Sequence, residues 1–580
     1  MSNSSNHRFH LNCFIQGDPT TDIFHVRVSP TWKTQDLIQE IYRVYNSELG
    51  FGRELVLKKT RISLYQVDVA PHELAKIETL PENHLMQRID QLKDYWPDPE
   101  KISHRRIQVL ISVEGQDSMA KGFRAAPSMS TAAYHPRFKQ QQENSNIPIY
   151  NGRPYERTSI PIQLFHPAFD FFTTELEKSD ELIEDKCAIV EKLMFGSQAL
   201  YNTETDRWSA IKGLLIGAVG HPIFKDSISR CQSGGVVTFT EPNSARKAYG
   251  AVVELNNEIG TGHSDPWVQS AQSYARYWSQ LEMTELRRAT RCPTFIISIA
   301  GPWMCVSGAV YLDRVVIQPL TDYVWLGNHP QQNRHLVRVT RLFMAISRAV
   351  SFLKEYYTPL IKPNAHLSVE RYRDSPCITS LAGAINFTYI HRLGDPGIIR
   401  PIFEAITEDG RPIVVKFAQV YNLEAHKLLA SQSLAPQLLS LDIEPAGGGL
   451  IMVVMELIGT SLDNYLDPTG PGLEPSARAQ ICEDVETALD LLHANNLVFG
   501  DLRPPNVLVV QGNNGSLRGR LVDFEWCGVE GEARYPAGMN QSKEIGWAPG
   551  AVKGSRLFKE HDRHMLDKLF STSSVEDAET

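Results

Sequence analysis

The sequence predicts a multidomain α+β chain. Three observations carry that expectation. At 580 residues the chain is too long for one ordinary core, and three or four domains are expected. The first hundred residues read as a hairpin, then a helix, then further strands. Beyond a polar stretch at 114–160, helix-spaced and strand-alternating runs form two further blocks, over 161–360 and 380–570.

Composition narrows the class. Hydrophobic residues make up 42% of the chain and charged residues 22%, and the net charge is −9. That is the make-up of a soluble globular protein, and the acidic balance makes nucleic acid an unlikely partner. The eight Cys are scattered, Cys292 and Cys305 being the closest pair, and no C-x-x-C occurs. Neither a zinc knuckle nor a redox pair is expected, and most Cys should be small buried apolar residues in a reducing compartment. The N-terminal MSNSSNHRFHLNCFIQGD has no basic segment followed by an apolar one, so no classical secretory signal is expected. Pro293 to Leu312 runs twenty residues without a charge, long enough to cross a bilayer. Gly301-Pro302 at its middle and its β-branched halves predict two buried strands joined by a turn, with no membrane span.

In the first block, 9–113, Leu11 to Gln16 and Ile23 to Val28 read as strands around a Gly17-Asp18-Pro19 turn. Thr34-Gln35-Asp36 caps a helix with apolar positions Leu37, Ile38, Ile41 and Tyr45. Strands follow at Ile62 to Val67 and Ile107 to Val113. This is the order of a ubiquitin-like β-grasp. Through "LNCFIQGD", "FHVRVSPTWKTQDLIQEIY" and "RISLYQVDV" the block resembles the N-terminal ubiquitin-like delivery module of the Crinkler effectors. The family's LxLFLAK motif has a faint counterpart at Leu55 to Lys59. The resemblance implies a module that binds a delivery or host protein and places the chain outside its cell of origin, in a host cell. The alternative is a ubiquitin-like interaction domain of an intracellular protein, in cytoplasm or nucleus.

Residues 114–160 have no periodicity and too little apolar surface to offset ordering entropy, so a disordered linker is expected. The next block should open with helices at Ala168 to Leu176 and Asp180 to Phe195. Strands near 236–240, 248–254, 294–299 and 303–311 should follow, and a helix Arg334 to Tyr357 should close it. Its informative stretch is "AYGAVVELNNEIGTGHSDPWVQSAQSYARYW". A strand runs into Glu254, and a helix after Asp265-Pro266 carries Gln269, Gln272 and Tyr274. That layout resembles the restriction-endonuclease-like fold, whose strand ends in E-x-K; the acid holds Mg²⁺ and the Lys orients the attacking water. Here the third position is Asn256, which supplies no positive charge, and Asp226 and Glu241 are distant as partners. A degenerate nuclease-like domain used for scaffolding or binding is expected, against an active nuclease or an unrelated α/β domain. Arg287, Arg288 and Arg291 read as a solvated basic face.

The last block carries the clearest chemistry. "GRPIVVKFAQ" is a strand with Lys416 near its end, and "YNLEAHKLLA" is a helix whose Glu424 could pair with Lys416. "LIMVVMELIG" is a buried strand ending in a hinge. "AQICEDVETALDLLHANN" has apolar positions Ile481, Val485, Leu489 and Leu492 at helical spacing. It leads into "LVFGDLRPPNVLVV", which has an Asp followed five residues on by an Asn, and then into "RLVDFEW". Lys, D-x-x-x-x-N and D-F-x in this order resemble a protein kinase, of the reduced fungal type attached to Crinklers, about 190 residues in extent.

The resemblance implies ATP and Mg²⁺ and assigns roles. Lys416 would hold the α- and β-phosphates, with Glu424 as its partner. Met455 would be the gatekeeper, and Glu456 to Ile458 would face the adenine edge. Asp501 would be the general base and Arg503 a γ-phosphate contact. Asn506 and Asp523 would be metal ligands. Phe499 and Gly500 stand where His-Arg is usual, and Glu525 where D-F-G has Gly. Phe499 can fill the packed His position, and loss of the Arg implies activity not gated by a phosphorylated activation segment. "RLGDPGIIRPIFEA" has Gly394 and Gly397 without a full G-x-G-x-x-G, and only 57 residues follow Asp523. Asp562 in "HDRHML" is the candidate to tie the catalytic loop from below. The expected function is phosphoryl transfer to a Ser/Thr hydroxyl of a protein substrate. The alternatives are a small-molecule, choline-kinase-like phosphotransferase and a non-catalytic pseudokinase scaffold.

Overall fold

The structure is a computed structural model. It describes residues 8–15, 23–48, 61–70, 84–87, 90–103, 105–114, 116–178, 183–225, 234–261, 264–367, 375–381, 385–394, 400–440, 444–467, 469–512 and 514–570. The chain divides into two compact units, Met1–Cys377 and Ile378–Thr580.

The first unit contains two sheets. Strands β1 (Phe9–Ile15) and β2 (Phe24–Val28) pair antiparallel. Helix α1 (Thr34–Glu48) follows, its first turn held by Asp36, which accepts from the Lys33 N–H at 2.9 Å. Leu37, Ile41 and Val44, one helical face, are buried against Leu11, Val26, Val109 and Ile111 of the sheet. Strands β3 (Arg61–Val69) and β4 (Ile107–Glu114) complete the order β2-β1-β4-β3. β4 runs parallel to β1 and antiparallel to β3. These elements come in the expected order. The Gly17-Asp18-Pro19 turn, the Leu55 to Lys59 counterpart and the side chain of Tyr45 lie outside the described residues.

The stretch expected to be a disordered linker is instead built into the fold. It forms α2 (Gln116–Ala125), α3 (Met129–Ala133), α4 (His135–Asn144) and the short strand β5 (Ile149–Tyr150). Met119, Phe123, Met129 and Phe138 are buried. Composition misleads here because the polar residues find protein partners rather than water. Gln142 is buried, donating to the Ile149 carbonyl at 2.7 Å and accepting from the Ile149 N–H at 2.8 Å. Gln141 accepts from Gln272 at 2.6 Å.

Helices α5 (Pro167–Glu177), α6 (Glu184–Ser197) and α7 (Glu204–Val219) come next. The second sheet then adds β6 (Gly234–Thr240) and β7 (Lys247–Asn256). After helix α8 (Pro266–Trp278) come β8 (Thr294–Ala300), β9 (Trp303–Tyr311), β10 (Val315–Pro319) and β11 (Val324–Trp325). The order is β5-β10-β9-β8-β7-β6, with β11 on β9. β7 and β8 are parallel, which requires a crossover, and α8 supplies it. Helix α9 (Gln332–Tyr357) closes the unit. β8 and β9 are antiparallel strands around Gly301-Pro302, so the charge-free run is a hairpin. Gly301 takes a φ of 57°, open to glycine at little cost. Among the described residues no helix is long and apolar enough to cross a membrane.

The second unit begins with an antiparallel sheet of β12 (Ser380–Leu381), β13 (Ile385–Arg392), β14 (Ile402–Thr407), β15 (Pro412–Ala418), β16 (Glu444–Gly447) and β17 (Leu450–Glu456). Their order is β12-β13-β14-β15-β17-β16. Helix α10 (Leu423–Ser431) is inserted after β15. A helical layer follows: α11 (Leu462–Leu466) and α12 (Pro475–Ala494), which buries Ile481, Val485, Leu489 and Leu492 as its spacing predicts. Short strands β18 (Thr460–Ser461), β19 (Leu497–Val498), β20 (Val507–Gln511), β21 (Leu517–Leu521) and β22 (Gly528–Val529) and helix α13 (Lys559–Phe570) complete it. Asp484, buried on α12, accepts from the Arg518 guanidinium and from the Gly519 N–H at 2.8 Å, fixing β21 to the helix.

Candidate active site

The stretch leading into Asp501 is suspended from one buried carboxylate. Asp562 on α13 accepts from the Phe499 N–H at 2.8 Å and the Gly500 N–H at 2.9 Å, and its Oδ2 lies 3.0 Å from His493 Nε2. Two N–H groups that water cannot reach are thereby satisfied. The letters that depart from the kinase pattern fit this arrangement. Gly500 sits at φ 79°, and a Cβ there would lie 2.4 Å from Leu557 Cδ2. A larger residue would be strained and crowded. Phe499 is fully buried and meets Phe524 edge-on, with centroids 5.6 Å apart. Phe524 in turn stacks on His426 of α10 at 4.7 Å and 18°. Burial lowers the His426 pKa to about 4, so its ring is neutral. Nε2–H then donates to the Pro436 carbonyl and Nδ1 accepts from the Tyr421 hydroxyl, both at 2.9 Å. Sequence reasoning missed His426 and Tyr421. Their signal was only a His on the apolar face of a helix.

Asp501 is buried. Arg503 grips it with two bonds, Nε to Oδ1 at 2.5 Å and Nη2 to Oδ2 at 2.7 Å. Asn506 donates through Nδ2 to the Asp501 carbonyl and to Oδ2, both at 2.8 Å. Burial pushes the Asp501 carboxyl up, against the opposing pull of Arg503. Arg503 therefore lies on the Asp501 carboxylate itself, with Trp526 and Trp547 flanking its guanidinium at 5.9 and 5.3 Å. The Asn506 amide nitrogen is spent on Asp501, which leaves its Oδ1 as the acceptor available to a cation.

Lys416 on β15 is 4% exposed. Its Nζ lies 2.6 Å from Asp523 Oδ1 and 2.6 Å from Glu525 Oε1. Burial raises Asp523, but Lys416, with Arg400 behind it, outweighs that and holds the carboxyl below its ordinary value. Glu525 goes the other way, raised by burial. Asp523 takes φ 73°, a turn that brings residues 523 and 525 to the same ammonium.

Glu424 does not pair with Lys416. Its side chain is 82% exposed and bonds Lys427 one turn along, at 2.9 Å. The reason is helix phase: α10 buries Leu423, Ala425, His426, Leu429 and Ala430, which turns position 424 outward. Met455 is buried at the end of β17, and the Glu456 side chain accepts from the Gln437 N–H at 2.8 Å and pairs with Arg520 at 3.3 Å. The strand ends there, and Leu457, Ile458 and Gly459 form the connection beyond it. Gly459 needs its φ of 60°, since a Cβ would lie 2.5 Å from the Val509 carbonyl oxygen. Gly397 lies outside the described residues.

No protein-family model matches the chain. A stretch of 106 residues is 37% identical to the serine/threonine-protein kinase PkaA of Streptomyces coelicolor, covering 18% of this chain and 18% of that protein. The chain thus spans less than a fifth of that curated relative. Among solved structures, vaccinia related kinase 3 aligns at 15% identity with a TM-score of 0.26, over 33% of this chain and 64% of that one. Over part of its length this chain is thus similar in sequence to a serine/threonine-protein kinase.

The Lys416–Asp523 pairing has no counterpart around Glu254 in the first unit. Glu254 is buried on β7, accepting from Ser273 Oγ at 2.5 Å and Gln269 Nε2 at 3.2 Å. These donors are neutral, and burial raises its carboxyl from the ordinary 4.5 to about 7. Asn256 is buried and donates to the Ser264 carbonyl at 3.0 Å. Glu241 follows Thr240, which pairs with Lys247, whereas Glu254 pairs with Gly234. The two acids therefore sit at opposite ends of the hairpin, on the order of 20 Å apart. Asp226 lies outside the described residues. No group of three His, Cys, Asp or Glu that could hold a metal occurs among the described residues. The cluster of Arg287, Arg288 and Arg291 is not wholly a solvated face. Arg287 is buried, donating to the Trp278 carbonyl at 2.6 Å, and Arg291 donates to the Phe165 carbonyl at 3.1 Å.

Proposed function

We propose that the second unit transfers the γ-phosphoryl group of ATP to a Ser/Thr hydroxyl of a protein. The observation that carries this reading is the pairing of buried Lys416 with Asp523, next to an Asp501–Asn506 pair hung from Asp562. Lys416 is the cation for the α- and β-phosphates. Met455, Glu456 and Ile458 frame the adenine edge. Asp523 and the Asn506 Oδ1 are hard oxygen donors, and two such donors leave the rest of an octahedron to phosphate and water, which suits Mg²⁺. When bound, that ion neutralises charge on the phosphates. Asp501, its pKa raised by burial, accepts the proton of the attacking hydroxyl. Arg503 must first release Asp501, and it then reaches the γ-phosphate oxygens as a planar fork.

The bidentate Arg503 clamp on Asp501 favours one second reading, a pseudokinase that binds nucleotide without turnover. The first block is proposed as a Crinkler-type delivery module that docks on a delivery or host protein, on the strength of its sequence resemblance. The test is incubation of the purified chain with γ-labelled ATP and Mg²⁺, offered generic protein substrates and small alcohols in parallel. Label on protein supports the proposal. Label on small alcohols alone moves the chain to the choline-kinase-like class. Nucleotide binding with no label transferred supports the pseudokinase.

A further inference from the structure

We propose that Glu525 is the residue that positions Lys416, in the role that a carboxylate on helix α10 would otherwise fill. The proposal rests on the phosphotransfer reading above and specifies how that site is regulated. An ammonium at 4% exposure needs anionic partners, because an unpaired buried charge is costly. Lys416 has two, Asp523 and Glu525, each at 2.6 Å. On the phosphotransfer reading Asp523 would also hold a metal ion, and its oxygens would then be shared with that ion. Glu525 has no such second task and keeps the ammonium in place.

Helix α10 cannot supply the partner by a small adjustment. Successive residues lie about 100° apart around a helix. Bringing Glu424 inward would carry Ala425 and His426 out of the core. His426 is held by the Tyr421 hydroxyl, the Pro436 carbonyl and its stack on Phe524. Glu525, by contrast, is delivered by the backbone. The left-handed turn at Asp523 sets residues 523 and 525 on one side, and the Glu525 N–H approaches Asp523 Oδ1 at 3.4 Å. A glycine at 525, as in D-F-G, would leave Lys416 with Asp523 alone. The phosphate-binding lysine is therefore set by the Asp523–Glu525 segment, and helix α10 has no inward-facing carboxylate with which to gate it.

The experiment compares Glu525→Gln, Glu525→Asp and Glu424→Gln in the full chain, with two readouts. The first is kcat and KM for ATP. Glu525→Gln is expected to lower kcat/KM roughly 10- to 100-fold, the range for losing a charged hydrogen bond. Glu525→Asp should recover part of that loss, and Glu424→Gln should stay within about twofold, as for an exposed ion pair. The second readout is the rate at which an amine-reactive acylating reagent modifies Lys416, which needs no turnover. Glu525→Gln should speed it by releasing the amine, and Glu424→Gln should not. The proposal is overturned if Glu424→Gln gives the large effects, or if Glu525→Gln leaves Lys416 labelling unchanged. If the wild-type chain shows no turnover but labelling responds as stated, the phosphotransfer reading fails and the positioning role stands.

Discussion

Two carboxylates withdrawn from water, Glu254, buried in the first unit, and Asp523, half-buried in the second, titrate in opposite directions. Glu254 faces a hydroxyl and a carboxamide, and burial lifts it to about 7. Asp523 faces the Lys416 ammonium at 2.6 Å and is held below its ordinary value although burial pushes it up. Burial alone does not make a metal or phosphate site. The neighbouring cation decides whether the carboxylate stays charged. The same contrast separates the two resemblances in the sequence. At Glu254 the expected lysine position is Asn256, and the network has closed into hydrogen-bonded packing. At Asp523 the lysine is present and the acids around it remain ionisable.

The largest test of this contrast is removal of the paired acid. Asp523→Ala should reduce the proposed phosphoryl transfer by at least about 10²–10⁴-fold in a labelled-ATP assay, because the proposed metal donor and the Lys416 partner go together. Turnover that survived it would place the activity elsewhere. Next in size, Lys416→Met should weaken ATP binding, read by calorimetry, by about tenfold or more, since it removes the phosphate contact and leaves two acids without their cation. Unchanged affinity would take Lys416 out of the site.

The Glu254 side of the contrast is read through pH. A carboxyl raised from 4.5 to about 7 binds its proton more tightly in the folded chain than in the unfolded one. Stability should therefore fall as pH rises from about 4.5 through 7, by a total on the order of 3 kcal/mol. Glu254→Gln keeps the shape and removes the titration, so denaturant unfolding of the variant should lose that slope. A slope identical in wild type and variant would mean that Glu254 is not held protonated. The same site should give no metal-dependent plasmid cleavage, and nicking by the full chain that Glu254→Ala abolished would contradict the assignment.

Much of this was legible in the sequence where pattern and partner are local. The strands flanking Glu254 and the charge-free run at 293–312 follow from alternation, and α12 follows from its apolar spacing. Asp562 was legible only through the kinase resemblance, which expects a helix Asp beneath the loop, and in the structure the Phe499 and Gly500 N–H groups donate to it. Three features were not. Gln141 and Gln142 look like linker residues until their backbone and side-chain partners, some far along the chain, are known. The outward turn of Glu424 depends on the phase of α10, which the run of apolar residues around it leaves open until the buried face is known. Arg503 has two suitable anions, and sequence cannot say that it grips Asp501 rather than waiting for a phosphate.

The proposed phosphoryl transfer rests most directly on Asp501 serving as the base beside the proposed nucleotide site. Binding and turnover should be measured side by side on the wild-type chain and on Asp501→Ala, by calorimetry with ATP and Mg²⁺ and by transfer of γ-label to protein. The expected result is transfer by the wild type and ATP affinity retained in the variant, with transfer reduced about 10²–10⁴-fold. Equal transfer by both chains, or nucleotide binding with no transfer by the wild type, would contradict it.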